Sequence, residues 1–558
     1  MFTPATAEQR FVLDHIVRLS EISAEAGELA DAVLEGAGAF AAGEWAPLDR
    51  LGDTHGPKWS EEGVTMPPGY AAAYKAYVEG GWGTIGSPAE FGGQGLPVSL
   101  SIAVLETLGT ANMGFALAPI LTVGAIEALV HHGTPEQQAL YLPRLATGEF
   151  TGTMNLTEPQ AGSDVGALKS RADPVGDGTF RIKGTKIFIS FGDHDMADNI
   201  VHLVLARTPD APAGTKGLSL FLVPKIRPDG AFNDVRVISI EHKMGLHASP
   251  TCVLSFGDHD DCIGELIGGE MGGIRAMFTM MNNARLNVGL QGVQVAERAT
   301  QRAVTYARDR IQGVRAGAPA AIVEHPDVRR MLLRMKAQTQ AARALVYYAF
   351  GQLDRGHAGD AAAKARVELL TPLAKAHATD LGNEVASLGV QVHGGMGYIE
   401  ETGAAQHFRD ARITPIYEGT NGIQAADLVG RKLGMDNGGT LFSLLAEMRG
   451  DAEDGELARL IDACEEVGRN LLASDTDDRL AASYPFLTML SVAVCGWLME
   501  QQGRIAVRLE GDPAFLRMKA IAARFYVEQI VPEAMGLKAA AMAKADLLYA
   551  IDAEAFAA

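Results

Sequence analysis

The change of hydrophobic period along the chain constrains its fold more than any other feature. A helix buries a stripe recurring every three to four residues, whereas a half-buried strand alternates, so one segment cannot serve as both. Up to about residue 150 the period is helical, with alanine-rich stretches around residues 11–40, 70–79 and 96–108, broken at Gly56-Pro57, Pro67-Pro68 and EFGGQGLP. From about Thr151 it shortens. Phe180 and Ile182, Ile187 and Ile189, then IVHLVLA, GLSLFLVP and VRVISI follow one another between Gly, Pro and Asp. That texture predicts an antiparallel β domain, sandwich or barrel, ending near Gly268.

Helical periodicity then returns. Leu286, Leu290, Val293, Ala296, Ala303 and Ala307 mark one long helix, and Val367, Leu370, Ala374, Ala378, Leu381, Val385 and Leu388 another, bent at Pro372. Two long helices with short connections predict a bundle. After a break at GMDNGG, Leu487, Leu490, Val494 and Leu498 form a further stripe, with Pro485 and Pro513 placed where helices start. The expected fold is α+β: an N-terminal helical domain (1–150), a middle antiparallel β domain (151–268), a helical bundle (269–433) and an additional C-terminal helical domain (440–558). GAGAFA, residues 36–41, fits a loose dinucleotide-binding pattern, but the preceding AEAGELADAVLE is helical where that motif needs a buried strand.

Charge narrows the function. A net charge of −20 repels phosphate backbones, no Lys/Arg block offsets it, and acidic residues exceed basic ones in the C-terminal region, so nucleic acid is not an expected partner. No apolar run reaches the roughly 18 residues of a membrane span, and the start, MFTPATAEQRFVLDHIVRL, lacks the regions of a signal peptide. Both features point to a cytoplasmic protein. Cys252, Cys262, Cys464 and Cys495 have no metal-ligand spacing, which predicts reduced, packed thiols and no metal site.

Four stretches carry candidate chemistry. In RITPIYEGTNGIQAADLVGRK, residues 412–432, Glu418 stands among apolar and glycine neighbours just before a helix beginning near Thr420 or Asn421, with Ile423, Ala426 and Leu428 on one side. A helix start offers free N–H groups and a positive dipole end to an anion or to an oxygen gaining charge, although a lone Glu there is usually a solvated acid or a cap. MNLTEPQAGSD, residues 154–164, is rich in small residues and hydroxyls that let a backbone approach a planar or phosphorylated ligand; alone it reads as an ordinary turn. KIFIS, residues 186–190, sets Phe188 and Ser190 on one face of a strand, as strand cores often do. QVHGGMGY, residues 391–398, ends the second long helix in a glycine-rich turn, which by itself is a helix cap.

Order and wording together resemble the acyl-CoA dehydrogenases. LTEPQAGSD is similar to that family's first signature, except for Asn155 before it; QVHGGMGYIEETGAAQHFRD is similar to the second, except for Gln406; and IYEGT follows. The likeness runs from about residue 65 to 432. It implies an FAD enzyme in which Glu418 removes the α-proton of an acyl-CoA thioester while a hydride leaves the β-carbon, giving the trans-2-enoyl-CoA. The thioester oxygen would receive hydrogen bonds from the Glu418 N–H and from a ribityl hydroxyl of FAD.

The same carry-over places Thr157 against the flavin pyrimidine, Phe188 on the isoalloxazine in place of the commoner Trp, and Ser190 near N5 in place of Thr. Ser163 would lie beside the flavin phosphates or CoA. Arg310, Gln391, Gly394 and Gly395 resemble residues that reach the FAD of a neighbouring subunit, and Thr420 an adenosine contact, with Gly422 where many members have Gln. Arg285, Tyr417 and Gly419 would border the substrate, Arg285 having a structural ion pair as its alternative role. The C-terminal tail and EHKMGLHASPTC, residues 241–252, resemble the larger bacterial members, which implies a homodimer and a short to medium acyl-CoA substrate. Electron-transfer flavoprotein is the implied acceptor; an oxygen-using oxidase, or a nucleic-acid-associated flavoprotein on the same fold, is the alternative.

Overall fold

A computed structural model describes residues 2–558, the side chain of residue 282 excepted. The chain divides into two compact units, one holding Ala32–Ala284 and the other Thr3–Asp31 with Arg285–Ala558. The opening 29 residues of that second group, which the sequence reading counts with the N-terminal helical domain, therefore cluster with the later helices. A buried contact explains it: Lys519 Nζ donates to Glu8 Oε2 at 3.0 Å, with Gln340 Nε2 on the other oxygen at 2.7 Å.

In the first unit, helices Tyr70–Glu79, Val98–Ala111, Met113–His132 and Pro135–Thr147 precede the sheet. Their starts are set locally: Asn112 accepts from Phe115 N, and Thr134 with Gln137 forms a reciprocal capping box. The eight strands are not all antiparallel. Phe150–Asn155 pairs parallel with Asn199–Ala206, Gly152 opposite Val201, and the rest of the ladder is antiparallel. Sequence alternation reports which face a residue takes but not the direction of its neighbour, and parallel pairing needs the long crossover that the other strands supply here. Strand Asn199–Ala206 is buried on both faces, which is why IVHLVLA shows a continuous apolar run. Val201, Leu203 and Leu205 pack with Ala125, Ile126 and Leu129 of the helix, while Val204 and Ala206 join Ile182, Leu254 and Phe256 in a second layer. Helix and strand close to backbone distance at Gly152, where a Cβ would lie 2.3 Å from that of Ala125.

In the second unit the long helices include Gly273–Asp309 (from Arg285 on), Pro326–His357 and Ala361–His393. Between the first two stands an exposed hairpin, Ile311–Arg315 with Ala318–Ala321, absent from the periodicity. Pro372 lies inside Ala361–His393, and Pro485 inside Thr476–Ala506 instead of at its start, whereas Pro513 does begin Pro513–Phe525. Gly289, Gly292 and Gly382 make the decisive packing. A Cβ on Gly292 would lie 2.2 Å from the carbonyl oxygen of Ala378, and one on Gly289 2.7 Å from that of Ala374, so two long helices touch backbone to backbone. Met113–His132 and Thr476–Ala506 are long and apolar enough to cross a membrane, contrary to the sequence reading, but most of each is buried within the fold.

Candidate active site

The helix contact at Gly289 brings together charges that are 90 residues apart in sequence. Arg285 lies one turn before Gly289, and Lys375 adjoins Ala374. Both side chains are buried, and both act electrostatically on Glu418. Glu418 occupies the turn between helices Ala404–Ala411 and Asn421–Asp427, with a left-handed backbone (φ 56°), a conformation that non-glycine residues adopt at a cost of about 1–3 kcal/mol and that clusters at functional sites. Gly419 follows at φ 84°; a Cβ there would meet Gln424 Nε2 at 2.9 Å and Arg285 Nη2 at 3.7 Å. Burial raises the Glu418 carboxyl above the usual carboxylate range, against the opposing pull of Arg285 and Lys375. A half-buried carboxylate with raised proton affinity is a better base than a solvated one.

The flanking groups hold this turn. Thr420 accepts from Ile423 N at 3.2 Å and caps the helix, so the predicted start is correct. The inward face of that helix is nevertheless polar: Asn421 and Gln424 are buried with Ala425 and Leu428, and Ile423 is exposed. The sequence stripe of Ile423, Ala426 and Leu428 is thus not the packed face. Gln424 Nε2 reaches the carbonyls of Gly419 (3.2 Å) and Glu418 (3.4 Å). Tyr417 donates its hydroxyl to Gln291 Oε1, and burial pushes that phenol up. Arg285 stands 4.0 Å from Asp427 Oδ2, a loose pair, because Asp427 binds Arg431 at 2.6 Å. Arg285 Nε, Gln291 Nε2 and Gln424 Oε1 are buried without a hydrogen-bond partner among the described residues, an arrangement that fits a polar ligand.

Arg310, Gln391, Gly394 and Gly395 share another, exposed part of this unit. Tyr306 stacks on His393 with centroids 4.4 Å apart, which sets the ends of helices Gly273–Asp309 and Ala361–His393 side by side. Gly394 (φ 60°) and Gly395 have open space where a Cβ would stand. Arg310 makes a weak 3.3 Å contact with Gln312.

In the other unit, Thr157 and the KIFIS strand are neighbours, since Ile187 N donates to the Thr157 carbonyl at 2.9 Å. The strand bulges between Lys186 and Ile189, and Phe188 sits in the bulge at φ 62° with 59% of its surface exposed. Phe188 is consequently an outward aromatic platform and not a core residue. Ser190 is half-buried and Ser163 lies on an exposed loop. Sequence reasoning passed over Lys186 and Glu158, a buried ion pair at 2.9 Å that ties the two motifs together. The available signal was a Lys on the inward face of an apolar strand. Asn155, the departure from the expected pattern, donates to Thr153 Oγ1 at 2.9 Å, and its Oδ1 has no partner among the described residues.

Family models match four consecutive stretches of the chain. Residues 28–149, 153–259 and 271–433 match the acyl-CoA dehydrogenase N-terminal, middle and C-terminal domains, and residues 443–552 match "Acetyl-CoA dehydrogenase C-terminal like". The chain belongs to the acyl-CoA dehydrogenase family. Among acyl-CoA dehydrogenases it is 45% identical to 3-methylmercaptopropionyl-CoA dehydrogenase of Ruegeria pomeroyi, over 94% of this chain and 95% of that one. It is 36% identical to a butyryl-CoA dehydrogenase of Syntrophomonas wolfei, covering 88% and 87%. In fold it resembles the Bacillus anthracis acyl-CoA dehydrogenase complexed with FAD, with a TM-score of 0.76 at 23% identity, covering 100% of this chain and 94% of that one.

Proposed function

We propose that this acyl-CoA dehydrogenase catalyses FAD-dependent α,β-dehydrogenation of an acyl-CoA thioester, with 3-methylmercaptopropionyl-CoA as the substrate to test first. The observation that carries the reading is Glu418, a carboxylate of raised proton affinity held in a left-handed turn at a helix start. It accepts the α-proton. The Glu418 N–H is the proposed donor to the thioester oxygen, and Arg285 and Lys375 keep the base from being neutralised outright by burial. Bound FAD would supply the hydride acceptor for the β-carbon, so the two electrons and two hydrogens lost by the substrate are accounted for.

The residues fit that cofactor. Phe188 presents an exposed ring, Ser190 is half-buried on the same strand, whose Ile187 N–H bonds to the Thr157 carbonyl, and the exposed Ser163 can face a phosphate. From a neighbouring subunit of a homodimer, Arg310, Gln391 and the open Gly394-Gly395 turn would complete the site, with Thr420 near the adenosine. Exposed Met396, Tyr398 and Ile399 adjoining that turn supply apolar surface for a second copy. Electron-transfer flavoprotein is the proposed acceptor. The test is anaerobic mixing of the FAD enzyme with a panel of acyl-CoA thioesters: bleaching of the flavin with 3-methylmercaptopropionyl-CoA or another short acyl-CoA is expected. Failure of every thioester to bleach it would overturn the reading.

A further inference from the structure

A chain of hydrogen bonds runs inward from the C-terminal segment to Lys375, which acts electrostatically on the proposed base. Tyr484, on helix Thr476–Ala506, donates to Asp380 Oδ2 at 2.5 Å. Asp380 Oδ1 accepts from Asn421 Nδ2 at 2.8 Å, and Asn421 Oδ1 accepts from Lys375 Nζ at 2.9 Å. Asn421 also donates to Thr379 Oγ1 and the Ala376 carbonyl, so its amide is fixed in orientation. It is the first residue of the helix that Glu418 precedes by three positions. Lys375 is fully buried, yet its hydrogen-bonded partner is a neutral amide and not a carboxylate.

We propose that Tyr484 and Lys375 are positioning residues for Glu418, joined through Asp380 and Asn421, so that the C-terminal segment sets the proton affinity of the base. The proposal rests on the reading of Glu418 as that base. The charges concerned are few. Glu418 faces Arg285 and Lys375; Lys375 faces Glu418, Asp380 and Arg285; Asp380 faces Lys375 and Arg412, with the Tyr484 hydroxyl donating to it. Burial lowers the Lys375 ammonium to about 7, within reach of small electrostatic changes near neutral pH, and raises the Asp380 carboxyl. The sign follows. Removing the Tyr484 hydroxyl weakens the charged form of Asp380. A more neutral Asp380 no longer supports the Lys375 charge, and a more neutral Lys375 no longer holds Glu418 down. Loss of Tyr484–OH must therefore raise the proton affinity of Glu418.

The experiment measures flavin reduction by 3-methylmercaptopropionyl-CoA under anaerobic conditions across pH, in the FAD enzyme and in Tyr484→Phe and Lys375→Met. Tyr484→Phe keeps the ring at a partly exposed position, so it keeps the test available should Lys375→Met fail to fold. The acid limb of the profile, where Glu418 becomes protonated, should move to higher pH in both, by about one unit in Lys375→Met, the size expected from losing one nearby opposite charge, and by less in Tyr484→Phe. The Glu418 titration read by carbon-13 NMR of carboxyl-labelled enzyme without substrate should shift alike, its signal assigned by its loss in Glu418→Gln. A merely structural role would lower the plateau rate and leave the limb in place, and that outcome overturns the proposal. Unmoved limbs beside an inert Glu418→Gln would sink the coupling alone, whereas a Glu418→Gln enzyme that reduces its flavin normally would sink the base reading beneath it.

Discussion

Lys186 Nζ lies 2.9 Å from Glu158 Oε1, with both side chains buried. Glu158 also accepts from the backbone N–H groups of Lys169 (2.7 Å) and Ser170 (3.0 Å), and Lys186 donates to the Leu156 carbonyl at 3.0 Å. The pair joins the strand that carries Phe188 to the loop that carries Thr157 and Ser163.

Glu158→Gln leaves a buried ammonium without its anion and should cost about 3–5 kcal/mol, read by urea unfolding, while Glu158→Gln with Lys186→Met should recover most of the loss. Although burial opposes it, Lys186 with the neighbouring donors holds the Glu158 carboxyl at about 2, against an ordinary value of 4.5. Between those values the unfolded chain binds the proton and the folded one does not. The contribution is therefore complete above pH 4.5 and lost as the pH falls toward 2. An acid unfolding profile of Glu158→Gln parallel to wild type would contradict this.

Glu418→Gln should retain FAD and acyl-CoA and lose roughly 10²- to 10⁴-fold in flavin reduction, measured by anaerobic stopped flow. It should also raise the unfolding midpoint at neutral pH. Because the folded carboxyl binds its proton more tightly than the unfolded one, this group's contribution to stability falls as the pH rises through that window, and the amide has no charge to bury. Lower activity with lower stability would mean a disrupted turn.

Phe188→Gly should split two properties. Glycine relieves the positive φ, so the unfolding free energy should stay within about 1 kcal/mol of wild type despite the lost side chain. FAD affinity should fall about tenfold, or roughly 1.4 kcal/mol, since an exposed ring contributes little except to whatever stacks on it. Equilibrium dialysis of FAD checks it; unchanged affinity would remove Phe188 from the site.

Thr420→Ala removes the cap two residues after Glu418, costing about 1 kcal/mol, and should lower kcat more than it raises KM because the turn loses its anchor. Thr420→Ser should restore both. Rescue of kcat without rescue of FAD retention would assign the methyl group to the cofactor.

The legibility of this chain divides along lines of sequence distance. Thr420 was readable as a helix start because a cap acts within three residues, and Glu418 because its glycine and proline neighbours mark a turn. The juxtaposition of Arg285 with Lys375 was not, since it is made by Gly289, Gly292 and Gly382, and glycines inside helical patterns say nothing about which helix approaches them. The buried polar face of Asn421 and Gln424 escaped periodicity for a related reason: it serves Lys375 and the turn carbonyls, partners invisible in a hydropathy pattern. Phe188 read as a strand residue on sequence, because only pairing register reveals the bulge that turns it outward.

The contact between Glu8 and Lys519 also has a consequence for synthesis. Its two partners are 511 residues apart. At bacterial or eukaryotic elongation rates of about 5–20 residues per second, the carboxylate leaves the ribosome roughly 25–100 s before the ammonium that buries it. Phe11 of helix Thr6–Val12, whose ring packs edge-on against Phe515, must wait through nearly all of that interval for this partner. The nascent chain thus offers a chaperone an early, long-lived target, and helix Pro513–Phe525, made late, completes the burial of one made near the start.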